Sequence, residues 1–333
     1  MRGSVQGGLA LAGGAVVAAS TAGEVTALRP DGHRGVRALW RTSVGPVYRR
    51  PGVTADGRLL FVPSADHRLY ALDARRGRIR WTYRAAAPVL SSPLVTRVDD
   101  RETVLFTAGD ALVALDAESG RRIWAADGHG FFAGRPACDG TRIYTGGGDG
   151  RARAFTAATG EQVWERELAT GDEHRRLLYG PWDDTILLGG DAVLVSTVAA
   201  TWALDQGTGA QRWTVAGSAI YAPAVLLPGD PLCVLLITEW GVVTRVEVAT
   251  AKVLWQTSLG VRVMNSGAAV RDGTAWVQSV DGQLIAVDLS DGAAGGRLRH
   301  GLSYCFSTPV AIDDVVIAAD QDGVVRGIRV GAA

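Results

Sequence analysis

Five aspartates recur at one place in the patterning of this chain. Asp66, Asp110, Asp149, Asp281 and Asp322 each fall in a short turn between two apolar runs. Carboxylates gathered from several loops are the oxygen ligands that Ca²⁺ takes, and Asp320-Gln-Asp322-Gly323 imitates the start of a calcium loop without its remaining ligands or closing Glu. Asp beside Gly or a polar residue is also ordinary hairpin chemistry, and that reading is the stronger one. Thr145-Gly-Gly-Gly-Asp-Gly150 is Gly-rich but has no following Lys-Ser/Thr and leads into a strand, so it does not cradle phosphate. Gly128-His-Gly130-Phe-Phe-Ala133 fits a dinucleotide fingerprint only on paper, since no helix follows. His33, His67, His129, His174 and His300 show no metal-ligand spacing. Cys138, Cys233 and Cys305 are too few and too scattered for a disulfide framework. No Ser/His/Asp or Cys/His arrangement can be assembled, so no catalytic residue and no metal ligand is nominated.

The elements that would position any site come from a repeat. Ala71-Leu-Asp73-Ala-Arg-Arg-Gly77-Arg-Ile-Arg-Trp81 returns as Ala114-Leu-Asp116 to Gly120 and Trp124, and as Ala203-Leu-Asp205 to Gly209 and Trp213. Two copies drift, one through Thr156, Gly160 and Trp164, the other through Glu247, Ala251 and Trp255. Each copy reads as strand, turn, strand. The acidic residue accepts backbone N–H bonds in the turn, Gly takes a positive φ, and Trp staples the hairpin to its neighbour. Trp40, Trp81, Trp124, Trp164, Trp213 and Trp255 follow one another at 41, 43, 40, 49 and 42 residues. In the first unit Arg29 to Trp40 is three residues longer than in the others, which predicts an expanded turn. A seventh unit has Asp288 and Gly292 but small residues around Gly296 in place of Trp, and an eighth runs from Val315 to Val330 without an outermost strand.

One hairpin cannot bury its own apolar face, so the units must stack. Strands at regular spacing, with Gly at the turns of five units (Gly23, Gly150, Gly241, Gly282, Gly323), predict an all-β fold. It is an eight-bladed β-propeller of four-stranded antiparallel blades, the last incomplete. Residues 1–333 form one domain, with blades near 1–44, 45–86, 87–127, 128–169, 170–217, 218–259, 260–300 and 301–333. Residues 1–4 are too short to supply the missing strand, so either closure is imperfect or the chain is a piece or variant of something longer.

The 333 residues are 47% hydrophobic with a formal charge of zero, and of 34 Lys and Arg only Lys252 is lysine. Balanced, interspersed charge disfavours nucleic acid. No apolar run is long enough to span a membrane. Val5 to Ala19, with Arg2 ahead, loosely imitates a signal peptide. Gly14 to Ala27 aligns without a gap on Gly273 to Ala286, however, so the segment reads as blade strands, export is not encoded, and a cytoplasmic location is slightly favoured.

In its repeated Ala-x-Asp-x-x-x-Gly-x-x-x-Trp pattern the chain resembles the family of PQQ-like propeller repeats over practically its whole length. The family includes quinoprotein dehydrogenases, the outer-membrane assembly lipoprotein of the β-barrel machinery, and sensor propellers of bacterial Ser/Thr kinases. A dehydrogenase would imply PQQ and Ca²⁺, with vicinal cysteines and a Glu/Asn/Asp calcium site; no two cysteines here are adjacent and no such cluster can be assigned. The barrel-assembly branch is set aside because no lipobox cysteine lies near Met1. What the resemblance implies is a non-catalytic scaffold or sensor without a cofactor, compatible in composition with actinobacterial members. The alternatives are a divergent PQQ- and Ca²⁺-dependent oxidoreductase and the sensor part of a receptor kinase.

In such a fold the connections between blades gather at one mouth of the channel. Here they carry Tyr48, Arg49, Phe131, Phe132, Arg135, Trp182, Tyr221, Asn265, Tyr304 and Phe306. Aromatics with Arg are the composition of interface hot spots. The same aromatics would serve equally to plug the channel. The expected partner is a protein or small ligand, bound by a monomer.

Overall fold

The protein is described by a computed structural model, which covers residues 1–31, 36–127, 134–168, 186–197, 199–217 and 222–330. Seven four-stranded antiparallel sheets and one of three strands follow one another along the chain as the blades of a propeller. The first blade is β1 (Ala10–Ala12), β2 (Ala15–Ala19), β3 (Glu24–Pro30) and β4 (Val36–Ser43). The second is β5 (Gly52–Val53), β6 (Leu59–Ser64), β7 (Arg68–Asp73) and β8 (Ile79–Arg84), and the third is β9 (Leu94–Val98), β10 (Arg101–Ala108), β11 (Ala111–Asp116) and β12 (Arg122–Ala126). Blade four holds β13 (Ala137–Cys138), β14 (Arg142–Gly146), β15 (Arg151–Thr156) and β16 (Gln162–Glu167); blade five holds β17 (Ile186–Gly189), β18 (Ala192–Ser196), β19 (Ala200–Asp205) and β20 (Gln211–Ala216). Blade six is β21 (Val225–Leu227), β22 (Cys233–Ile237), β23 (Val242–Glu247) and β24 (Val253–Ser258), and blade seven is β25 (Ala268–Arg271), β26 (Thr274–Gln278), β27 (Gln283–Asp288) and β28 (Ala294–Arg299). The eighth has only β29 (Val310–Ile312), β30 (Val315–Ala319) and β31 (Val325–Arg329).

Burial explains the strand compositions. The second strand of a blade lies between neighbours on both faces, so β6, β22 and β30 are buried at every residue and read as continuous apolar runs. Outer strands such as β8, β20 and β24 alternate between exposed and half-buried, as a one-sided strand must.

The repeated residues lock each blade to the next. Trp40, Trp81, Trp124, Trp164 and Trp213 each pair across the ladder with an alanine (Ala27, Ala71, Ala114, Ala154, Ala203), and the register shifts directly after it. The small partner and the bulge free the indole to reach the following blade. There it donates to a turn carbonyl: Trp40 Nε1 to Ala74 at 2.9 Å, Trp81 to Ala117 at 3.1 Å, Trp164 to Gln206 at 3.0 Å and Trp255 to Leu289 at 2.9 Å. Trp124 and Trp213 do the same to Ala157 and Val248. The acidic residues cap these turns as expected, Asp73 Oδ1 accepting Arg75 N and Arg76 N at 3.0 and 2.9 Å.

The first hairpin differs from its reading. The extra residues prolong the ladder, through Arg29↔Arg37 to Pro30↔Val36, before the chain enters 32–35. Residues 10–19 are blade strands, as read. Residues 1–9 add no strand to the eighth blade but are pinned to it, Val5 N to Asp320 O and Leu9 N to Thr308 O, both at 3.4 Å. Val5, Leu9, Val16 and Ala18 pack against Ile317 and Ala319, so the ring closes through an apolar seam.

Candidate functional site

The connections between blades and the turns between second and third strands lie at the same end of the ring and are hydrogen-bonded into a rim. Leu259 N reaches Gly241 O at 2.9 Å and Val263 N reaches Glu239 O at 2.9 Å, which clasps one connection to the turn of the sixth blade. Val280 N then donates to Arg262 O at 2.8 Å, Cys305 N to Val280 O at 2.9 Å, and Gln321 N to Tyr304 O at 2.9 Å. The rim is thus one continuous strip of backbone from the sixth blade to the eighth. Its rigidity comes from these bonds, not from packing of the exposed side chains.

That strip carries exposed aromatic surface. Trp240, in the turn of the sixth blade, is 69% exposed, and the Arg262 guanidinium carbon lies 5.6 Å from its ring centroid. Glu239 holds the same arginine, accepting from Nε at 2.9 Å. Tyr304 is 61% exposed and stacks on Phe306 with centroids 6.1 Å apart and planes 13° apart. Leu302 stands out at 94% exposed. Large apolar residues clustered on a fixed rim, beside a paired arginine, are suited to recognising another surface.

Of the residues expected at the mouth, the structure places six. Tyr304 and Phe306 come together. Tyr48, exposed, and Arg49 lie in the first connection, where Arg49 Nε donates to Leu90 O at 2.8 Å and so ties two connections. Arg135 and Asn265, both half-buried, stand in separate connections, and Asn265 adopts a φ of 58°. Phe131, Phe132, Trp182 and Tyr221 lie outside the described residues. Trp240 was missed, although the repeat marks it: it occupies the position before the turn Gly where other blades carry Asp149, Asp281 and Asp322.

Three of the five aspartates first considered as calcium ligands are bound locally. Asp66 takes Tyr70 OH and Arg68, Asp149 takes Arg153, and Asp281 takes Ser279, Gln283 and Arg299. Among the described residues no group of three or more His, Cys, Asp or Glu could hold a metal. Burial, with the Asp320 charge, pushes the Cys305 thiol up to about 12, which favours its protonated form. Burial, followed by the Arg326 charge, lowers the His300 pKa below its ordinary 6.5. Among the described residues no helix is long and apolar enough to cross a membrane.

Comparison with known proteins agrees with this architecture. The family profile described as outer membrane protein assembly factor BamB matches residues 33–240 and 239–331. The BamB of Shewanella oneidensis is 26% identical over 284 residues, covering 82% of this chain and 69% of its own length. A polyvinylalcohol dehydrogenase of Sphingopyxis is 27% identical over 225 residues, but these are 49% of this chain and 32% of that enzyme. The crystal structure of BamB from Moraxella catarrhalis superposes with a TM-score of 0.74 at 21% identity, covering 98% of this chain and 95% of that one. Two expectations are thereby corrected. Setting the barrel-assembly branch aside for want of a cysteine near Met1 does not stand against a profile that matches almost end to end. The preference for the cytoplasm falls with it, since the matching relatives are outer membrane assembly factors. On the strength of that profile, the chain belongs to the PQQ-like propeller family described as outer membrane protein assembly factor BamB.

Proposed function

We infer that this propeller is a non-catalytic scaffold that binds a protein partner through the rim bearing Trp240, Arg262, Leu302, Tyr304 and Phe306. The observation that carries the reading is the exposed aromatic surface on a hydrogen-bonded strip running from the sixth to the eighth blade. A rigid rim spares the entropy of ordering a loop, and exposed Trp and Tyr supply large contact areas with few torsions. The relatives' name supports a partner among the proteins of outer membrane assembly.

The test is a Trp240→Ser/Tyr304→Ser double variant, measured against the soluble region of an outer membrane assembly protein from the same organism. Loss of two hot spots should weaken binding by at least about thirty-fold. The variant's circular dichroism and melting curve should match the parent's. Undiminished binding by a folded double variant would sink the assignment of the rim. The oxidoreductase alternative, kept alive by the partial likeness to polyvinylalcohol dehydrogenase, would be carried instead by a saturable rise in Tm with PQQ plus Ca²⁺.

A further inference from the structure

A basic cleft of about 480 Å³ opens at the end of the ring opposite the rim. Strands alternate in direction, so the turns joining first to second and third to fourth strands gather there. Arg58 comes from the β5–β6 turn, Arg75 and Arg76 from the β7–β8 turn, and Arg80 from β8. Asp73 and Glu118, the latter from the third blade, also line the cleft.

Its arginines outnumber the acids that could answer them. Arg58 is held by Asp56 and stands 3.8 Å from Glu118. Asp73 spends Oδ1 on the backbone, accepting Arg75 N and Arg76 N at 3.0 and 2.9 Å. The side chains of Arg75, Arg76 and Arg80 enter no ion pair or hydrogen bond among the described residues.

The repeat shows that the fold does not ask for these cations. The residue two places ahead of the return strand's first free N–H is Ser119, Thr159, Thr208 or Thr250 in four blades. Each hydroxyl accepts that N–H, from Arg121, Glu161, Ala210 and Lys252, at 3.4, 3.3, 3.2 and 3.2 Å. Arg76 holds the same place in the second blade and forgoes the bond. The residue before the repeated Trp is apolar in four blades, as Leu39, Ile123, Val163 and Leu254, and is Arg80 here.

The fifth blade shows what such an arginine takes. Arg212 also precedes the Trp, and it donates to Asp191 at 2.8 Å and to Asp205, the counterpart of Asp73, at 2.7 Å. Ala192 pairs with Asp205 as Leu59 pairs with Asp73, so Asp191 and Arg58 occupy one position in their blades. Where the fifth blade sets a carboxylate to receive Arg212, the second sets another guanidinium beside Arg80. The charge at that position is reversed.

We propose that this cleft binds a phosphate monoester on a small hydroxylated carrier, as in a phosphorylated sugar. The phosphoryl group has three strong acceptor oxygens, equal in number to the uncommitted guanidiniums, and arginine is suited to bidentate recognition of phosphate. A carboxylate would bring one charge and two oxygens, which Asp73 and Glu118 already supply. The volume leaves room for the carrier, whose hydroxyls can donate to Glu118. The site is at the far end of the ring from the rim and stands apart from the protein-binding reading.

The test is calorimetric titration of the full chain with glucose 6-phosphate, glucose and acetate at fixed ionic strength. Sedimentation with phosphatidylcholine vesicles containing phosphatidic acid, another phosphate monoester, forms the second arm. Saturable binding of a monoester is expected, with glucose and acetate at least tenfold weaker. Arg76→Thr and Arg80→Leu install residues that other blades carry, so their melting curves should match the parent's. Each should weaken monoester binding at least tenfold, and Trp240→Ser, which disables the rim, should leave it unaltered. Binding of glucose 6-phosphate would assign the phosphate to a soluble ester; binding of the vesicles alone, lost in the same two variants, would assign it to a lipid headgroup. No saturable binding in either arm, acetate binding as tightly, undiminished binding by both variants, or sensitivity to Trp240→Ser would overturn the proposal.

Discussion

Trp81 and Gly120 belong to adjacent blades and are fitted to one another. A Cβ on Gly120 would lie 2.6 Å from Cδ2 of the indole, and the glycine's φ is +70°. The same indole donates to Ala117 O at 3.1 Å, in the same turn. The glycine is needed both for its backbone conformation and for the room it leaves.

Gly120→Ala should therefore lose about 1–3 kcal/mol, by strain and overpacking together. Trp81→Ala should lose about 3–5 kcal/mol. Because the two residues touch, the double variant should lose less than the sum. Urea unfolding of the four proteins in a cycle checks this, and strict additivity would show that the contact carries no energy of its own.

Ala251 offers the converse. It occupies the turn position of the sixth blade that is glycine in its neighbours, and it holds a φ of 62°. An L-residue in that region costs about 1–2 kcal/mol relative to its preferred conformations. Ala251→Gly should stabilise the fold by about 1 kcal/mol, read as a rise in the urea midpoint with an unchanged slope.

Arg153 has a side chain only 6% exposed, and it bridges Asp149 and Glu165, its Nε reaching the latter at 2.8 Å. Arg153→Ala would take this arginine from both Asp149 and Glu165, the latter keeping Arg151. A loss of about 2–4 kcal/mol is expected, below the full cost of breaking a buried pair because both acids retain water. Adding Asp149→Asn and Glu165→Gln to an Arg153→Met variant should restore most of it. If the triple variant is no better than Arg153→Ala, the loss is one of packing.

The acid limb of stability should be steep. Hydrogen bonds from Arg58, side chain first and then backbone, with a further one from Thr54, hold Asp56 at about 2. Those from Arg212 and Thr208 hold Asp205 at about 2. Both lie below the ordinary 3.8, so the folded chain binds protons less readily than the unfolded one. Their contribution is complete above that ordinary value and is lost as pH falls through it toward 2. The urea midpoint should be level above pH 5 and drop between about 4 and 2, and Asp205→Asn should make that drop shallower.

What could be read from the sequence was whatever recurs. Asp73, Gly77 and Trp81, with Asp116, Gly120 and Trp124, state a contact between neighbours, so repetition alone fixed blade number and order. Strand limits were less legible where side chains replace the ladder. The innermost strands of the third and eighth blades begin only at Leu94 and Val310, because just ahead of them the hydroxyls of Ser91 and Ser307 bond Thr107 O and Ala319 O at 3.1 and 3.0 Å. The seam formed by Val5 and Leu9 occurs once and has no period to announce it. Trp240 shows in the sequence only as a departure from its aligned aspartates, in a turn within a blade and not in a connection between blades.

The indole contacts also have a direction. Each runs from one blade to its successor, from Trp40 in the first to Leu289 in the seventh, and none of the six begins or ends in the eighth. The seventh blade, which precedes it, has Gly295 and Gly296 where its forerunners have the indole. The protein is thus an arc of seven leaves joined by indole clasps, with an eighth held instead by backbone bonds and the apolar seam of Val5 and Leu9. That leaf can swing out without unfastening any of the six clasps, so excursions short of global unfolding should begin there.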